Sequence, residues 1–510
     1  MGERKKKISF LDELQPGSVA SYSPNGRFLA TIVGDHVVLR SLGERKSVAE
    51  DGSQEEAEDE GNGEKGLLHA YCWHTTLLAC RAEPVNLQWS PCSGYLLARY
   101  ADHLAAEVFC SLRGRLCFTL RCGEGDRLGQ CLWGPHRSNT LLAVDTGLLD
   151  LSVWHLSSGS RHPLPLSLKH PDRGVVVSNE HSLVASLCRD RALDADLLAI
   201  VPCCSKGSSL QLSPVMACPL PRGHSADTVL VSPGASPWLV CFDKSLSSQA
   251  SLFVVSPSGV LLREIVLADA VASVRWQPIS EHPLLALTTK KGLLHLLDPL
   301  RAASAPSLSR NMLQLRRKHA TKAAGPVVLV ERSLLGEKTF QRDNSALIDT
   351  HAASAHIFWS STGRAMVSVQ GIRKNQLVFY QHSSSFSSSF SSFSSFSSFS
   401  ASFSSSSSGS RTDDGFQIAH ETHLLDGVSS LSFHPFLELA VAVIKSRRGL
   451  LLISAASLQF VALPSWCHTE AFTPRSVAWS TSHHGLGSIT GTVGKDPSSL
   501  RHRFLQFSIS

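Results

Sequence analysis

The sequence predicts an all-β repeat protein: a β-propeller of about nine degenerate four-stranded blades, in one large ring or in two propeller-like units. Three observations predict it. A short strand–turn–strand unit recurs along the chain. Its copies keep the period of a propeller blade, about 40–45 residues. The segments that break the period have compositions that do not build a core.

The unit is clearest over residues 85–98, VNLQWSPCSGYLLA. Leu87 and Trp89 alternate with polar neighbours, as in a half-buried strand. Ser90-Pro91 ends the ladder, because proline has no N–H to donate. Ser93-Gly94 supplies the turn, and Tyr95 to Ala98 return as a buried strand. Copies follow the anchors Tyr22-Ser23-Pro24-Asn25-Gly26, Trp133-Gly134-Pro135, Trp276-Gln277-Pro278, Trp359-Ser360-Ser361-Thr362-Gly363, Phe433-His434-Pro435 and Trp479-Ser480-Thr481. Val177-Ser178-Asn179 and Val231-Ser232-Pro233 are weaker copies. The anchors are 67, 44, 44, 54, 45, 83, 74 and 46 residues apart. Excising 43–65 reduces 67 to 44, and excising 383–410 reduces 74 to 46. A linker from about residue 301 to 340 accounts for the gap of 83.

Taken in order, residues 1–13 are a charged head, with Arg4-Lys5-Lys6-Lys7 read as a solvated tail. Residues 14–300 are N-terminal blades, of which 14–42 are the first. The acidic, Gly-rich insertion 43–65 cannot bury enough surface to offset chain entropy and reads as a disordered loop. Two clear blades occupy 67–165, two degraded ones 174–270, and another 271–300. The linker 301–345 carries Arg316-Arg317-Lys318-His319 and the apolar run Pro326 to Val330. Its length favours two propeller-like units. Residues 346–510 are C-terminal blades, interrupted by the Ser/Phe low-complexity insertion 383–410. The last strand, Arg503 to Ile509, is placed to close the ring with N-terminal sequence.

Composition narrows the function classes. Of 510 residues, 43% are hydrophobic and 18% charged, which are globular values. The net charge of +6 comes without the basic stripe and stacking aromatics of a nucleic-acid surface. No apolar run approaches the roughly 18–20 residues of a membrane span. Met1 to Lys7 contain no apolar signal core, and Lys6 stands where a myristoylation pattern requires Ser or Thr. The 13 cysteines form no C-x-x-C pair and read as reduced core residues of a cytoplasmic protein.

No phosphate loop, dinucleotide turn or nucleophile elbow is present. His420-Glu421-Thr422-His423 places its histidines three apart, in what reads as a loop before a strand. A zinc-binding helix requires four. His483-His484 reads as a solvated turn. No residue is assigned a catalytic, cofactor-binding or metal-ligating role, and no cofactor or small-molecule substrate is indicated. The chain reads as a non-enzyme with protein partners on its propeller faces.

The blades resemble degenerate WD repeats. They keep the W-S-P-x-G-x-L-A hairpin and mostly lack the Gly-His and Trp-Asp pairs, with Gly223-His224 the exception. The order of features is similar to that of the centrosomal WD-repeat-containing protein eight family. The opening blade begins directly. A mid-chain interruption contains Val327-Val328-Leu329-Val330-Glu331. The last blades match best, from Val428 to Pro435, Gly449 to Ser454, Phe460 to Pro464 and Ser476 to Trp479. The acidic and Ser/Phe insertions depart from that pattern. The resemblance implies a scaffold at centrosomes, spindle poles or ciliary bases that works with a coiled-coil partner to anchor microtubule minus ends. Two other readings stay open: a translation-initiation propeller that binds the ribosome, and an enzyme with a site in the propeller channel.

Overall fold

A computed structural model of the chain describes residues 8–10, 15–42, 73–297, 313–314, 356–382 and 416–509, less several short loops within these spans. They form nine antiparallel sheets and one short helix, Ser465–Thr469. The sheets are the blades of a single β-propeller ring. Blades 1 to 8 span 20–79, 84–121, 128–167, 175–219, 228–267, 271–314, 356–423 and 428–462, and blade 9 spans 473–509. Neighbouring strands within each blade are antiparallel, so among the described residues the first-to-second and third-to-fourth connections share one face of the ring. The described second-to-third and blade-to-blade connections share the other.

The ring closes through the two ends of the chain. Ile8–Phe10 pairs antiparallel with Ile509 to Phe507 and supplies the fourth strand of blade 9. Gln15–Pro16 pairs with Phe504 and Arg503 of the same strand. The expected closure by the last strand is therefore found. It draws in residues read as a charged head, and it moves the start of blade 1 from residue 14 to Ala20. The fourth strand of blade 1 is Trp73–Ala79, beyond the acidic insertion. One ring also replaces the two units that the long linker favoured. Blade 6 takes its last strand, Leu313–Gln314, from within that linker. The first strands of blades 6 and 7 then pack together across it. Insertions 43–65 and 383–410, Arg4 to Lys7, Arg316 to His319, Pro326 to Val330, His483 and His484 lie outside the described residues.

The W-S-P-x-G unit has a hydrogen-bonding reason. Ser90 N–H donates to the Tyr95 carbonyl at 2.9 Å, and Tyr95 N–H donates to Ser90 Oγ at 3.0 Å. The buried hydroxyl thus satisfies an N–H that the hairpin leaves over. Ser23 accepts from Phe28 N–H, Ser232 from Trp238 N–H and Ser360 from Ala365 N–H in the same way. Three residues on, the chain turns with positive φ at Gly26, Ser93 and Gly363. In blade 2 that residue is Ser93, not the neighbouring Gly94. Its hydroxyl accepts from Asn25 N–H in the turn of blade 1 at 3.0 Å, which offsets the left-handed strain.

Two irregularities in the period are also explained. The spacing of 54 between Val177 and Val231 contains an added hairpin, in which the long strand Ala195–Lys206 pairs with Ser209–Leu212. His420 to His423 lie within the outer strand Phe416–His423 of blade 7, not in a loop. The strand's third-strand partner, Gln376–His382, lies across the Ser/Phe insertion, so local sequence did not reveal the pairing.

Packing is between blades. Eight buried apolar clusters each bridge one pair of neighbours, from blades 1 and 2 round to blades 8 and 9. Trp89 and Trp133 are buried in the clusters of blades 1–2 and 2–3. The helix at Ser465–Thr469 buries Cys467 beside Phe472 in the cluster of blades 8 and 9. Cys131, Cys188, Cys203, Cys218 and Cys241 are buried, as expected of core cysteines, whereas Cys92 and Cys117 are exposed.

Candidate interaction faces

The face carrying the first-to-second turns is held by contacts from turn to turn. Thr481 Oγ1 of blade 9 donates to the Pro24 carbonyl of blade 1 at 2.5 Å. Gln277 Nε2 of blade 6 donates to the Gly363 carbonyl of blade 7 at 2.8 Å. Ser361 Oγ of blade 7 donates to the Pro435 carbonyl of blade 8 at 2.5 Å. His181 Nε2 of blade 4 faces the Ser232 carbonyl of blade 5 at 3.3 Å. Gly363 allows such an approach, since a Cβ there would stand 2.4 Å from the Pro278 carbonyl oxygen.

The opposite face is held by charge. Around blade 4, Asp196 is fully buried at the start of the third strand. It accepts from Lys169 Nζ at 2.6 Å, Arg189 at 2.8 Å and Ala226 N–H at 3.0 Å. Lys169 comes from the connection between blades 3 and 4, and Ala226 from that between blades 4 and 5. Lys169 also donates to Ser225 Oγ and the Ala226 carbonyl. One carboxylate therefore ties three loops together. Burial raises its pKa, but the bonds from Lys169, Arg189 and Ala226 outweigh that and hold it below the ordinary carboxylate range. Arg173 pairs with buried Asp227 at 2.8 Å beside it.

Blade 2 repeats the device with other residues. Arg81, from the connection after blade 1, meets both oxygens of Asp102 at 2.5 and 2.6 Å and stacks over Tyr100 at 4.6 Å. The Leu104 N–H and Arg81 together hold Asp102 below its usual range. Tyr100 donates to Glu107, and burial followed by that carboxylate raises its pKa, so it remains a donor. In blade 3, Asp145 accepts from Gly147 N–H at 2.9 Å and shapes the turn that presents Leu148. Val85, Leu104 and Leu148 stand 52%, 46% and 63% exposed on this face, beside the fixed charges. The arrangement can offer a rigid surface of loops with apolar side chains set among paired charges.

Sequence reasoning assigned no site residue and missed these charges. A signal existed: Glu107 and Asp196 interrupt otherwise apolar strands, AAEVFC and ADLLAIVPCCSK. Gly223-His224, the one Gly-His pair, sits in the connection before blade 5, with His224 edge-on to Phe253 at 5.3 Å. Among the described residues no group of three or more His, Cys, Asp or Glu could hold a metal ion, and no helix is long and apolar enough to cross a membrane.

No family model matches the sequence, and no curated protein does. Solved propellers are similar in fold. The Cps50 (Swd1) β-propeller domain of Myceliophteria thermophila aligns over 99% of this chain and 100% of its own, at 12% identity and TM-score 0.38. The Dos1 propeller aligns over 83% and 91%, at 12% identity and TM-score 0.46. Dihydro-heme d1 dehydrogenase NirN, in complex with DHE, aligns over 72% and 65%, at 12% identity and TM-score 0.43.

Proposed function

We propose that this chain is a non-catalytic propeller scaffold that holds protein partners on its loop faces. We extend the reading to centrosome or spindle-pole organisation, with a coiled-coil protein as partner in microtubule anchoring. The observation that carries the scaffold reading is the face of blades 2 to 4. There Asp196 and Asp102 lock the loops, and Val85, Leu104 and Leu148 project from them. Rigid loops lose little entropy on binding, and exposed apolar side chains supply the contact area. The centrosomal part rests on the order of blade motifs, best in residues 428–479. Endogenous tagging tests it: the tagged protein concentrates at spindle poles or basal bodies, and a signal that never does so through the cell cycle removes that part. Leu104→Glu with Leu148→Glu tests the face itself. Co-purifying proteins are lost while the melting temperature holds; unchanged co-purification removes the face from the reading.

A further inference from the structure

Two histidines meet at the third-to-fourth turn of blade 3. His155 ends the strand Asp150–His155, and His162 is the second residue of Arg161–Ser167. Val153 pairs with His162 and Trp154 with Arg161, so His155 and His162 take diagonal positions on one face of the sheet. Their ring centroids are 5.3 Å apart and their planes cross at 78°. The backbone beneath them is fixed. His155 N–H donates to the Ser160 carbonyl at 3.0 Å, and Gly159 N–H donates to the His155 carbonyl at 2.8 Å. Gly159 takes the positive φ, +69°, that closes the turn.

Other histidines have a polar partner. His36 faces Asp35, His224 faces Glu264, His181 faces the Ser232 carbonyl, and His434 Nδ1 accepts from Phe436 N–H. Among the described residues His155 and His162 have only each other. His162 is exposed and His155 half-buried, so the pair opens to solvent on one side. Burial, and then the charge of His162, lower the pKa of His155, so it is neutral at pH 7.

We infer that His155 and His162 form an open two-imidazole site for a divalent transition-metal cation of the zinc or copper class. Neutral imidazole suits these metals, whereas magnesium and calcium take oxygen ligands. A tetrahedral zinc ion about 2.0 Å from one nitrogen of each ring would hold the two centroids about 5 Å apart. The observed separation of 5.3 Å matches that span without a backbone change. Edge-to-face packing of the rings uses none of their four nitrogens, and a shared cation uses two. Among the described residues no third His, Cys, Asp or Glu completes a group that could hold a metal. The other coordination positions therefore go to water or to a partner's side chain, and the ion is exchangeable. The third-to-fourth connections lie on the face away from Val85, Leu104 and Leu148, so this site stands independently of the scaffold reading.

The test uses the full chain, with calorimetric titration of Zn²⁺ and electron paramagnetic resonance of Cu²⁺ added at one equivalent. The chain's 23 histidines and 13 cysteines supply a background, so the readout is the difference made by each substitution. The unaltered chain is expected to take up one Zn²⁺ that His155→Ala and His162→Ala bind about 100-fold more weakly, because each loses one of two linked ligands. The Cu²⁺ spectrum shows splitting from two nitrogens, which falls to one in either variant. His162 is exposed, so His162→Ala keeps its Tm and separates lost binding from lost folding. His162→Cys retains a ligand and keeps zinc uptake. Equal zinc affinity in the unaltered chain and in both alanine variants overturns the inference. So does a Cu²⁺ spectrum that neither substitution changes.

Discussion

The indole N–H of Trp133 donates to the Gln88 carbonyl at 3.2 Å, in the first strand of the preceding blade. Trp89 does the same one blade earlier, donating to the Ser21 carbonyl at 3.0 Å. Each acceptor stands one residue before the previous anchor, Trp89 or Tyr22. The anchor therefore turns a sequence period into a physical joint. At Trp89 and Trp133 the ring fills the apolar interface and the N–H satisfies a neighbour's backbone. Trp133→Phe keeps most of the ring and leaves the Gln88 carbonyl unpaired. We expect a loss of about 1–3 kcal/mol in denaturant unfolding.

Ser90→Ala removes the acceptor of the Tyr95 N–H while leaving the fold of the turn in place. The expected cost is about 1 kcal/mol, read as a lower denaturant midpoint with an unchanged slope. Ser360→Ala makes the equivalent change in blade 7 and should cost a similar amount.

Asp196→Ala leaves Lys169 and Arg189 without their shared partner. Lys169 keeps only 17% side-chain exposure, so its charge is largely desolvated. Removing one partner of such a pair costs about 3–5 kcal/mol at neutral pH. The pH dependence has a definite sign. The folded pKa of Asp196 is depressed, so its contribution is complete above the unfolded value of about 3.9 and fades as pH falls through the lower folded value. The stability difference between the unaltered chain and Asp196→Asn should therefore narrow below about pH 4.

Gly17 sits where the chain leaves blade 9 for blade 1, with φ at +149° and its N–H donating to the His502 carbonyl. A Cβ there would stand 2.9 Å from Thr31 Cβ and 3.3 Å from Phe504 Cδ1. Gly17→Ala should cost about 1–3 kcal/mol. Gly34→Ala is the control, since its φ of +58° is strained for alanine but the surrounding space is open. It should cost about 1 kcal/mol.

Deleting residues 1–10 removes the fourth strand of blade 9, including Phe10 against Phe507 at 6.3 Å. Hydrogen exchange should then show lost protection at Phe507 to Ile509, and faster opening in blade 9 than in blades 2 to 5. Unchanged protection in blade 9 would show that the pairing contributes little to closure.

Much of the fold was legible because the repeat is written in contiguous residues. The anchors, their serines and their turns act over five to seven positions, and they located all nine first-strand hairpins. The fourth strands were less legible. In blades 1 and 7 that strand lies beyond an insertion, in blade 6 it lies inside the linker, and in blade 9 it comes from the other end of the chain. The candidate faces were the least legible: Glu107 and Asp196 stand out as charges in apolar strands, but nothing local names their partners. Lys169 and Ala226 are 57 residues apart and meet on Asp196 only because the connections on either side of blade 4 converge there.

By itself the sequence determined the class, an approximate count of nine blades and the chemistry of their hairpins. Strand alternation and turn residues are local properties, and each blade obeys them separately. The tertiary structure alone decided that the blades close as one ring, that blade 9 is completed by Ile8–Phe10, and that the last interface is polar. Those outcomes depend on which face of Phe28–Val33 and of Arg501–Ile509 turns towards the other, across the whole length of the chain. Arg40 shows the difference. In sequence it is one charge near the end of a strand. In the ring it is a buried cation at the seam, where the two ends of the chain meet.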